Sequence, residues 1–302
     1  MLRDEKNVVS GEILSDQLGI SRVSIWKHIK KLREIGYPIE ATSKGYCLIS
    51  APDVLYPWEF GDRESKIHYF DAVDSTMDVA RELARSNCPH FTVVIAGRQT
   101  KGRGRLNRTW LSSEGGLYFT MILRPRIPPA LSSRVNFAAS MILARTLRKM
   151  FEIDAMVKWP NDILIDGRKV SGLLSEMEAE TDMVRFINVG VGVNVNNDPT
   201  VGEPMAISLK KILGRKIPRK ALLSEFLNSF ESRLNNGALE NVVSEWKEYA
   251  ETLNRHVRIV TDREISEGLA VDVDKDGALI LKLADGSFKK IIHGDCFHED
   301  KR

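Results

Sequence analysis

Residues 101–110, KGRGRLNRTW, set Lys101, Arg103, Arg105 and Arg108 around two glycines, with no acid among the ten and Trp110 closing the run. Glycine lets a backbone approach a ligand closely and take positive φ, and guanidinium forks suit carboxylate and phosphate oxygens. A loop that alternates the two can wrap an anion. The common phosphate cradles are absent: GRGRLN lacks the third glycine of GxGxxG, and the chain contains no GxxxxGK[ST]. On spacing alone, a solvated basic loop or a nucleic-acid patch competes with the anion site. Two later stretches add to the anion reading. KWPND at 158–162 groups a lysine, an aromatic, a proline and an Asn-Asp pair, and RKVSG at 168–172 puts Lys169 just after a hairpin turn.

These motifs need a scaffold, and 302 residues allow two or three domains. A hydrophobic fraction of 43% and a charged fraction of 28% suit a soluble globular chain and exclude a disordered or fibrous one. Net charge is +3, so any nucleic-acid contact must come from a local patch. Cys47, Cys88 and Cys296 are odd in number and widely spaced, which speaks for a reducing compartment and against a disulfide framework or zinc site. No apolar run approaches the roughly 18 residues of a membrane span, and MLRDEKNVVS lacks the apolar stretch of a signal peptide. A cytoplasmic protein with no membrane partner is expected.

Residues 10–49 read as helix, turn, helix and a small hairpin. Ser10 caps the first helix, Leu18-Gly19-Ile20 turns, and Ser21 caps a second helix ending at Gly36. On the second helix Ile25, Ile29 and Leu32 share one face, with Ser24, Lys27 and Lys31 opposite. Arg22, Lys27, Lys30, Lys31 and Arg33 face one acid between positions 22 and 34, and YPIEATSKGYCLI supplies two strands about a Ser-Lys-Gly turn. The whole is a winged helix-turn-helix. In that reading Lys27, Lys31 and Lys44 meet phosphates, Ser24 and His28 reach base edges, and Arg22 belongs to the same DNA-binding set. The plain alternative is a solvated basic helix face.

Residues 51–66 contain prolines and EFGDRESK, a plausible linker. Next come strands at FTVVIAG and GGLYFTMIL, a long amphipathic helix over SSRVNFAASMILARTLRKMF, a hairpin turned by Asp166-Gly167, and a strand in MVRFINVGVGVNV. This is a mixed sheet with helices against it, an α/β (α+β) unit. Helices at RKALLSEFLNSFESRL and ENVVSEWKEYA follow. From 253 on, short strands with Asp276-Gly277 and Asp285-Gly286 at the turns read as a small β-barrel. The expected domains are 1–52, 66–252 and 253–302.

In order and spacing, DSTM (74–77), GRQTKGRGRLNRTW (97–110), KWPND, GRKVSG (167–172) and GVGVNV (190–195) resemble the biotin protein ligases. With the helix-turn-helix in front, the resemblance extends over nearly all of residues 10–296 to the bifunctional ligases that also repress biotin genes. It implies a biotin-ligase catalytic domain followed by an SH3-like barrel. It also implies a two-step reaction: biotin's carboxylate attacks the α-phosphate of MgATP, and a lysine of a carboxylase biotinyl domain then attacks the mixed anhydride. The adenylate-bound homodimer would bind operator DNA.

By that resemblance Lys169 bridges the carboxylate and the α-phosphoryl group, Arg103 holds the anhydride end, and Arg105 holds the adenylate or departing pyrophosphate. Ser75, Thr76, Met77, Gln99 and Gly104 contact biotin together with those three, and Ser75-Thr76 can equally cap a helix. Trp110, Lys158, Asn161, Asp162 and Asn194 surround the nucleotide. Asn161 and Asp162 are the candidates for Mg²⁺, with Asp162 the metal carboxylate. Lys158 pairs with phosphate or with Asp162. Asn194 can instead be a strand-end residue satisfying backbone groups.

The chain departs from the family pattern in places. Met77 replaces a common Asn and loses a side-chain hydrogen bond. Asn107 stands where Gly is common and tolerates left-handed φ. Lys101 adds charge at the loop entrance. A full helix normally precedes VSGEILSDQLG and only MLRDEKN stands there, so either the chain starts further upstream or DNA binding is weakened. Two other readings stay open: an adenylate-sensing repressor with little ligase activity, and a ligase for another carboxylic acid such as lipoate.

Overall fold

The computed structural model describes residues 2–3, 8–50, 52–106, 108–237 and 239–298. Two compact units result, Met1–Val54 and Leu55–Arg302.

In the first unit, helix α1 (Gly11–Leu18) is capped by Ser10, whose Oγ accepts from the Ile13 N–H at 3.1 Å. Gly19, at φ 65°, ends it in the left-handed region that glycine takes without strain. Helix α2 (Arg22–Glu34) is capped by Ser21, whose Oγ accepts from the Ser24 N–H at 3.2 Å. Strands β1 (Ile39–Thr42) and β2 (Gly45–Leu48) pair antiparallel as the wing. Leu14, Ile25, Ile29, Tyr37 and Ile39 are buried as a small core, as the helix periodicity requires. The stretch at 4–7, where a preceding helix was in question, lies outside the described residues.

The second unit is organised by a seven-stranded sheet. Its strands are β3 (Ile67–Val73), β4 (Thr92–Gln99), β5 (Leu117–Leu123), β6 (Ala155–Lys158), β7 (Asp162–Ile165), β8 (Arg168–Glu180) and β9 (Met183–Val193). They lie in the order β3-β4-β5-β9-β8-β7-β6, with β3 and β4 parallel and the other pairs antiparallel. Strand β5 is buried at every position. Leu117, Phe119, Met121 and Leu123 belong to the main core with α4 (Ser132–Phe151) and α6 (Arg219–Asn235). Ile122 packs on the other face with Ala80 and Ala84 of α3 (Thr76–Arg85). A strand covered on both faces reads as a continuous apolar run, as LYFTMIL does. The β7–β8 hairpin turns at Asp166 (φ 50°) and Gly167 (φ 70°), the positive φ pair of a tight two-residue hairpin.

A five-stranded antiparallel sheet ends the chain: β10 (His256–Val260), β11 (Ile265–Val273), β12 (Leu279–Lys282), β13 (Phe288–Ile291) and β14 (Asp295–His298), in the order β13-β12-β11-β10-β14. It is tied to the large sheet through Trp159, whose indole N–H donates to the Gly277 carbonyl at 3.0 Å. The stretch expected as a linker is partly built into the fold. Leu55 and Phe60 join the core and Glu59 pairs with Lys220 at 2.9 Å. Pro-rich, charged composition marks a break in regular structure but does not reveal that two apolar residues have a core to enter. No helix among the described residues is long and apolar enough to cross a membrane.

Candidate active site

One cavity of about 180 Å³ gathers the separate motifs. The N-terminus of α3 contributes Ser75, Thr76 and Met77, and the end of β4 contributes Gln99. The 101–110 loop contributes Arg103, Gly104, Arg105, Arg108 and Trp110. Asn161, Asp162 and Lys169 come from the β7–β8 region, and Gly192 and Asn194 from the end of β9. Asp295 enters from the terminal sheet.

Ser75 is the N-cap of α3, and its Oγ accepts from the Met77 N–H at 3.2 Å. Gln99 is held at both ends. Its Oε1 accepts from the Thr76 N–H at 2.8 Å and the Thr76 hydroxyl at 3.0 Å, and its Nε2 donates to Ser112 Oγ at 2.7 Å. Thr120 donates to Thr76 Oγ1 at 2.8 Å, which fixes the hydroxyl rotors in series. Sequence reasoning missed Ser112, in the segment leading to β5, and Thr120 on β5; a lone Ser or Thr carries no signal.

The floor is glycine. A Cβ on Gly192 would lie 2.5 Å from Trp110 Nε1, one on Gly172 2.9 Å from Trp110 Cζ3, and one on Gly190 2.7 Å from Met77 Sδ. Bare backbone on β8 and β9 is therefore what lets the Trp110 indole and the Met77 thioether lie flat on the sheet. Met77 thus uses packing where an Asn would use a hydrogen bond. The Trp110 indole N–H is buried without a hydrogen-bond partner. Lys169 Nζ stands 5.4 Å from the Trp110 ring centroid, within cation–π reach, and 2.7 Å from Asp162 Oδ1.

The loop's four cations are not equivalent. Lys101 pairs with Asp74 at 2.9 Å on the surface, so the charge expected at the entrance is offset there. Arg103 is clamped by Asp78 (3.1 Å) and Glu176 (2.5 Å), and Arg81 bridges the same two carboxylates at 3.1 and 2.7 Å. Arg108 pairs with Asp295. Arg105 alone of the four, among the described residues, is held by neutral groups: Asn161 Oδ1 at 3.4 Å and the Gly294 carbonyl at 3.2 Å. Burial pulls its pKa below the usual arginine range, only partly offset by Asp295 and Asp162 nearby. A half-buried cation whose hydrogen-bond partners are neutral keeps its charge available to an incoming anion. Arg103, expected to hold the anhydride end, already has both forks filled. Asn107 lies outside the described residues.

Other expected nucleotide contacts divide. Asn161 lines the cavity, but its Nδ2 donates to the Leu173 carbonyl and its Oδ1 accepts from Arg105, so the amide holds Arg105 in place instead of offering a free metal ligand. Lys158 is not among the residues lining the cavity; its ammonium lies 6.0 Å from the Phe297 ring. Asn194 lines the cavity, and its Oδ1 accepts from the Asn197 side-chain amide at 3.1 Å. Asp162 remains one carboxylate facing the cavity. No cluster of three or more His, Cys, Asp or Glu side chains able to hold a metal occurs among the described residues. That donor set fits Mg²⁺ arriving with nucleotide, because Mg²⁺ keeps most of its waters and needs only one or two carboxylates.

Glu176 yields an acid-side expectation. Burial opposes its charged form, but the Arg81 hydrogen bond and the Arg103 charge prevail and hold its pKa below the ordinary 4.5. A depressed carboxyl stabilises the fold fully above its unfolded pKa, and that contribution is lost as pH falls through the folded value. Glu176→Gln is therefore expected to melt lower than the parent at pH 7 and to converge on it as pH falls below the ordinary 4.5 and through the depressed folded value. Parallel melting curves across that range would contradict the assignment.

In the first unit, Arg22, Lys27, His28, Lys31 and Lys44 are exposed on α2 and the wing turn. Ser24 departs from its expected base-reading role. It is half-buried, and its hydroxyl lies 3.0 Å from Ser21 Oγ, inside the helix cap.

A basic winged helix joined to an α/β cavity built for anions defines a ligand-activating enzyme with a nucleic-acid-binding front end. Three family models match in order: an HTH domain over residues 1–47, the biotin/lipoate A/B protein ligase family over 69–194, and the biotin protein ligase C-terminal domain over 252–299. Bifunctional ligase/repressor BirA of Bacillus subtilis (strain 168) is 37% identical over 95% of this chain and 93% of its own. The protein of the same name from Escherichia coli (strain K12) is 30% identical over 95% and 91%. The solved biotin protein ligase from Aquifex aeolicus in complex with biotin and ATP is similar with a TM-score of 0.65 at 28% identity, over 77% of this chain and 98% of that one. The chain belongs to the bifunctional biotin ligase/repressor family.

Proposed function

We propose that this protein is a cytoplasmic biotin protein ligase that forms biotinyl-5'-AMP from biotin and MgATP and passes biotin to a lysine of a carboxylase biotinyl domain. As an adenylate-bound homodimer it represses biotin synthesis genes by binding operator DNA. The observation that carries the reading is that Arg105, half-buried and with no carboxylate partner among the described residues, lines one cavity with Lys169 above a glycine floor.

In the first step a carboxylate oxygen attacks the α-phosphorus, one P–O bond forms, and pyrophosphate leaves with its electron pair. Two like charges about 4 Å apart repel by roughly 4 kcal/mol at an effective dielectric near 20. Lys169, which faces the cavity beside Asp162, offsets that repulsion where the charge gathers. Mg²⁺ supplies charge neutralisation on the phosphates when bound, with Asp162 as its protein carboxylate. Arg105 holds the α-phosphate side. The Thr76–Gln99–Ser112 series presents a fixed polar rim for the biotin ring, and Met77 an apolar wall. In the second step the neutral ε-amine of the acceptor lysine attacks the acyl carbon, the C–N bond forms as the acyl C–O bond breaks, AMP leaves with that electron pair, and the amine's proton passes to water. A neighbouring cleft of about 580 Å³ shares Arg105, Asn161, Leu173 and Leu174 with the first and offers that lysine a second approach.

Incubation with radiolabelled biotin, MgATP and a biotinyl domain tests the reading. Label on the acceptor is expected. Adenylate without transfer favours the corepressor-sensing alternative, equal use of lipoate favours the other ligase, and no labelled product removes the enzyme altogether. For operator binding, affinity is expected to fall steeply with salt, and Lys27→Ala to reduce the log–log slope by about 1. Affinity indifferent to salt would contradict phosphate contact. Protection of residues 101–110 from protease is expected to rise on adding biotin and ATP.

A further inference from the structure

We propose that Val23 and Trp26 of α2 read the 5-methyl groups of thymine in the major groove, so that operator choice rests on apolar contact as well as on hydrogen bonds. The inference rests on the operator-binding reading above and names the residues that would supply its sequence preference.

Sequence spacing puts base reading on Ser24 and His28, but the Ser24 hydroxyl is occupied by Ser21. What the helix presents outward is different. Ile25 and Ile29 are buried, and the opposite stripe runs through Val23, Trp26, Lys27 and Lys30, three and four residues apart. Val23 is 63% exposed and Trp26 54% exposed. Single exposed apolar residues are ordinary on protein surfaces. Here two large ones share the N-terminal half of a helix whose other exposed residues include the cations Arg22, Lys27, Lys30, Lys31 and Arg33, together with His28. The Lys30 ammonium lies 5.8 Å from the Trp26 ring, so the apolar stripe is bordered directly by positive charge. The helix's one acid, Glu34, sits at its far end, 4.0 Å from Lys30.

That combination selects its occupant. An anionic membrane surface also favours cations beside apolar side chains, but here the helix is the second of a helix-turn-helix followed by a two-stranded wing, a fold whose second helix enters a duplex groove. A DNA major groove has phosphates on its walls and, on the edge of each A·T pair, one exposed methyl group. In helix-turn-helix docking the N-terminal residues of the second helix are those that reach base edges. Val23 offers a branched methyl surface and Trp26 a broad flat one, and neither can hydrogen-bond both partners of a base edge. Thymine is the base they distinguish.

The test uses the full chain with biotin and MgATP and a randomised duplex library. Enriched duplexes are then resynthesised with 2'-deoxyuridine in place of thymine, one position at a time, which removes only the methyl group. Loss of about fivefold in affinity is expected at one or two positions in each half-site, the order of a single mismatched contact. Trp26→Ala is expected to weaken the parent duplex by a similar factor and to become indifferent to one of those replacements, and Val23→Ala to another. Lys27→Ala should weaken all duplexes alike. If the parent protein binds thymine and deoxyuridine duplexes equally at every position, the proposal is overturned while operator binding stands. The same holds if Trp26→Ala keeps the discrimination, including the case where it changes only self-association. If no duplex is enriched, the operator reading itself falls. Should Trp26→Ala fold poorly, the deoxyuridine series on the parent protein still decides, since it needs no variant.

Discussion

Lys169→Ala is expected to reduce biotinyl-adenylate formation by about 10²–10³-fold, the loss typical of removing one group aimed at developing charge in a closed site. Lys169 follows the Asp166-Gly167 turn on β8, where hairpin register carries it across from Leu164 and toward the floor. Its ammonium meets Asp162 on one side and the Trp110 face on the other. Alanine removes the cation and leaves Asp162, itself mostly buried, facing the triphosphate with its negative charge. Repulsion then replaces attraction at the atoms that must meet. Pyrophosphate release from biotin and MgATP measures the step, and a melting curve separates it from misfolding. Lys169→Met keeps the aliphatic stem over the indole, so a fall shared by both variants belongs to the charge. Near-normal biotin transfer by either variant would remove Lys169 from the mechanism.

Gly192→Val is expected to weaken binding of the nucleotide by about 10- to 100-fold with little change in the melting temperature, in the range of one unmade bulky contact to two. A β-branched side chain is at home in a strand, so backbone preference does not oppose the change. The obstacle is local: the new Cβ falls 2.5 Å from the Trp110 indole. Trp110 is borne by the 101–110 loop, so the loop yields before the sheet does. Arg105 on the same loop loses its alignment with Asn161 and the Gly294 carbonyl. Adenylate affinity by calorimetry, set beside unfolding by heat, distinguishes this from loss of the sheet. A variant that unfolds early, or binds nucleotide normally, contradicts the floor's role.

Much of the fold was legible because each element carries its own local reason. Ser10 and Ser21 cap helices at the predicted positions, 132–151 is the predicted helix, and Asp166-Gly167 turns the predicted hairpin. Those outcomes depend on residues within a turn or two of one another, which is the range a sequence displays. The stretch at 51–66 shows the opposite case, with part of a Pro-rich segment held in the core. Nothing local says that Leu55 and Phe60 belong to a core built from residues far along the chain.

The site divides the same way. By itself the sequence determined which side chains are present near one another: the glycine-separated cations of the loop, the Asn-Asp pair, the lysine after the turn, and the cationic second helix. It could not determine which charges survive pairing. Asp74 and Asp78, Glu176, and Asp295 come from three separate segments, and together they occupy Lys101, Arg103 and Arg108. The tertiary structure thus leaves Arg105 as the loop cation without a carboxylate partner, adds Asp295 and the Gly294 carbonyl from the terminal sheet, and turns Ser24 inward while turning Trp26 out. The physical reason is range. Propensity and periodicity act over a few residues, whereas a charge is spent on whatever opposite charge the folded chain brings within about 4 Å.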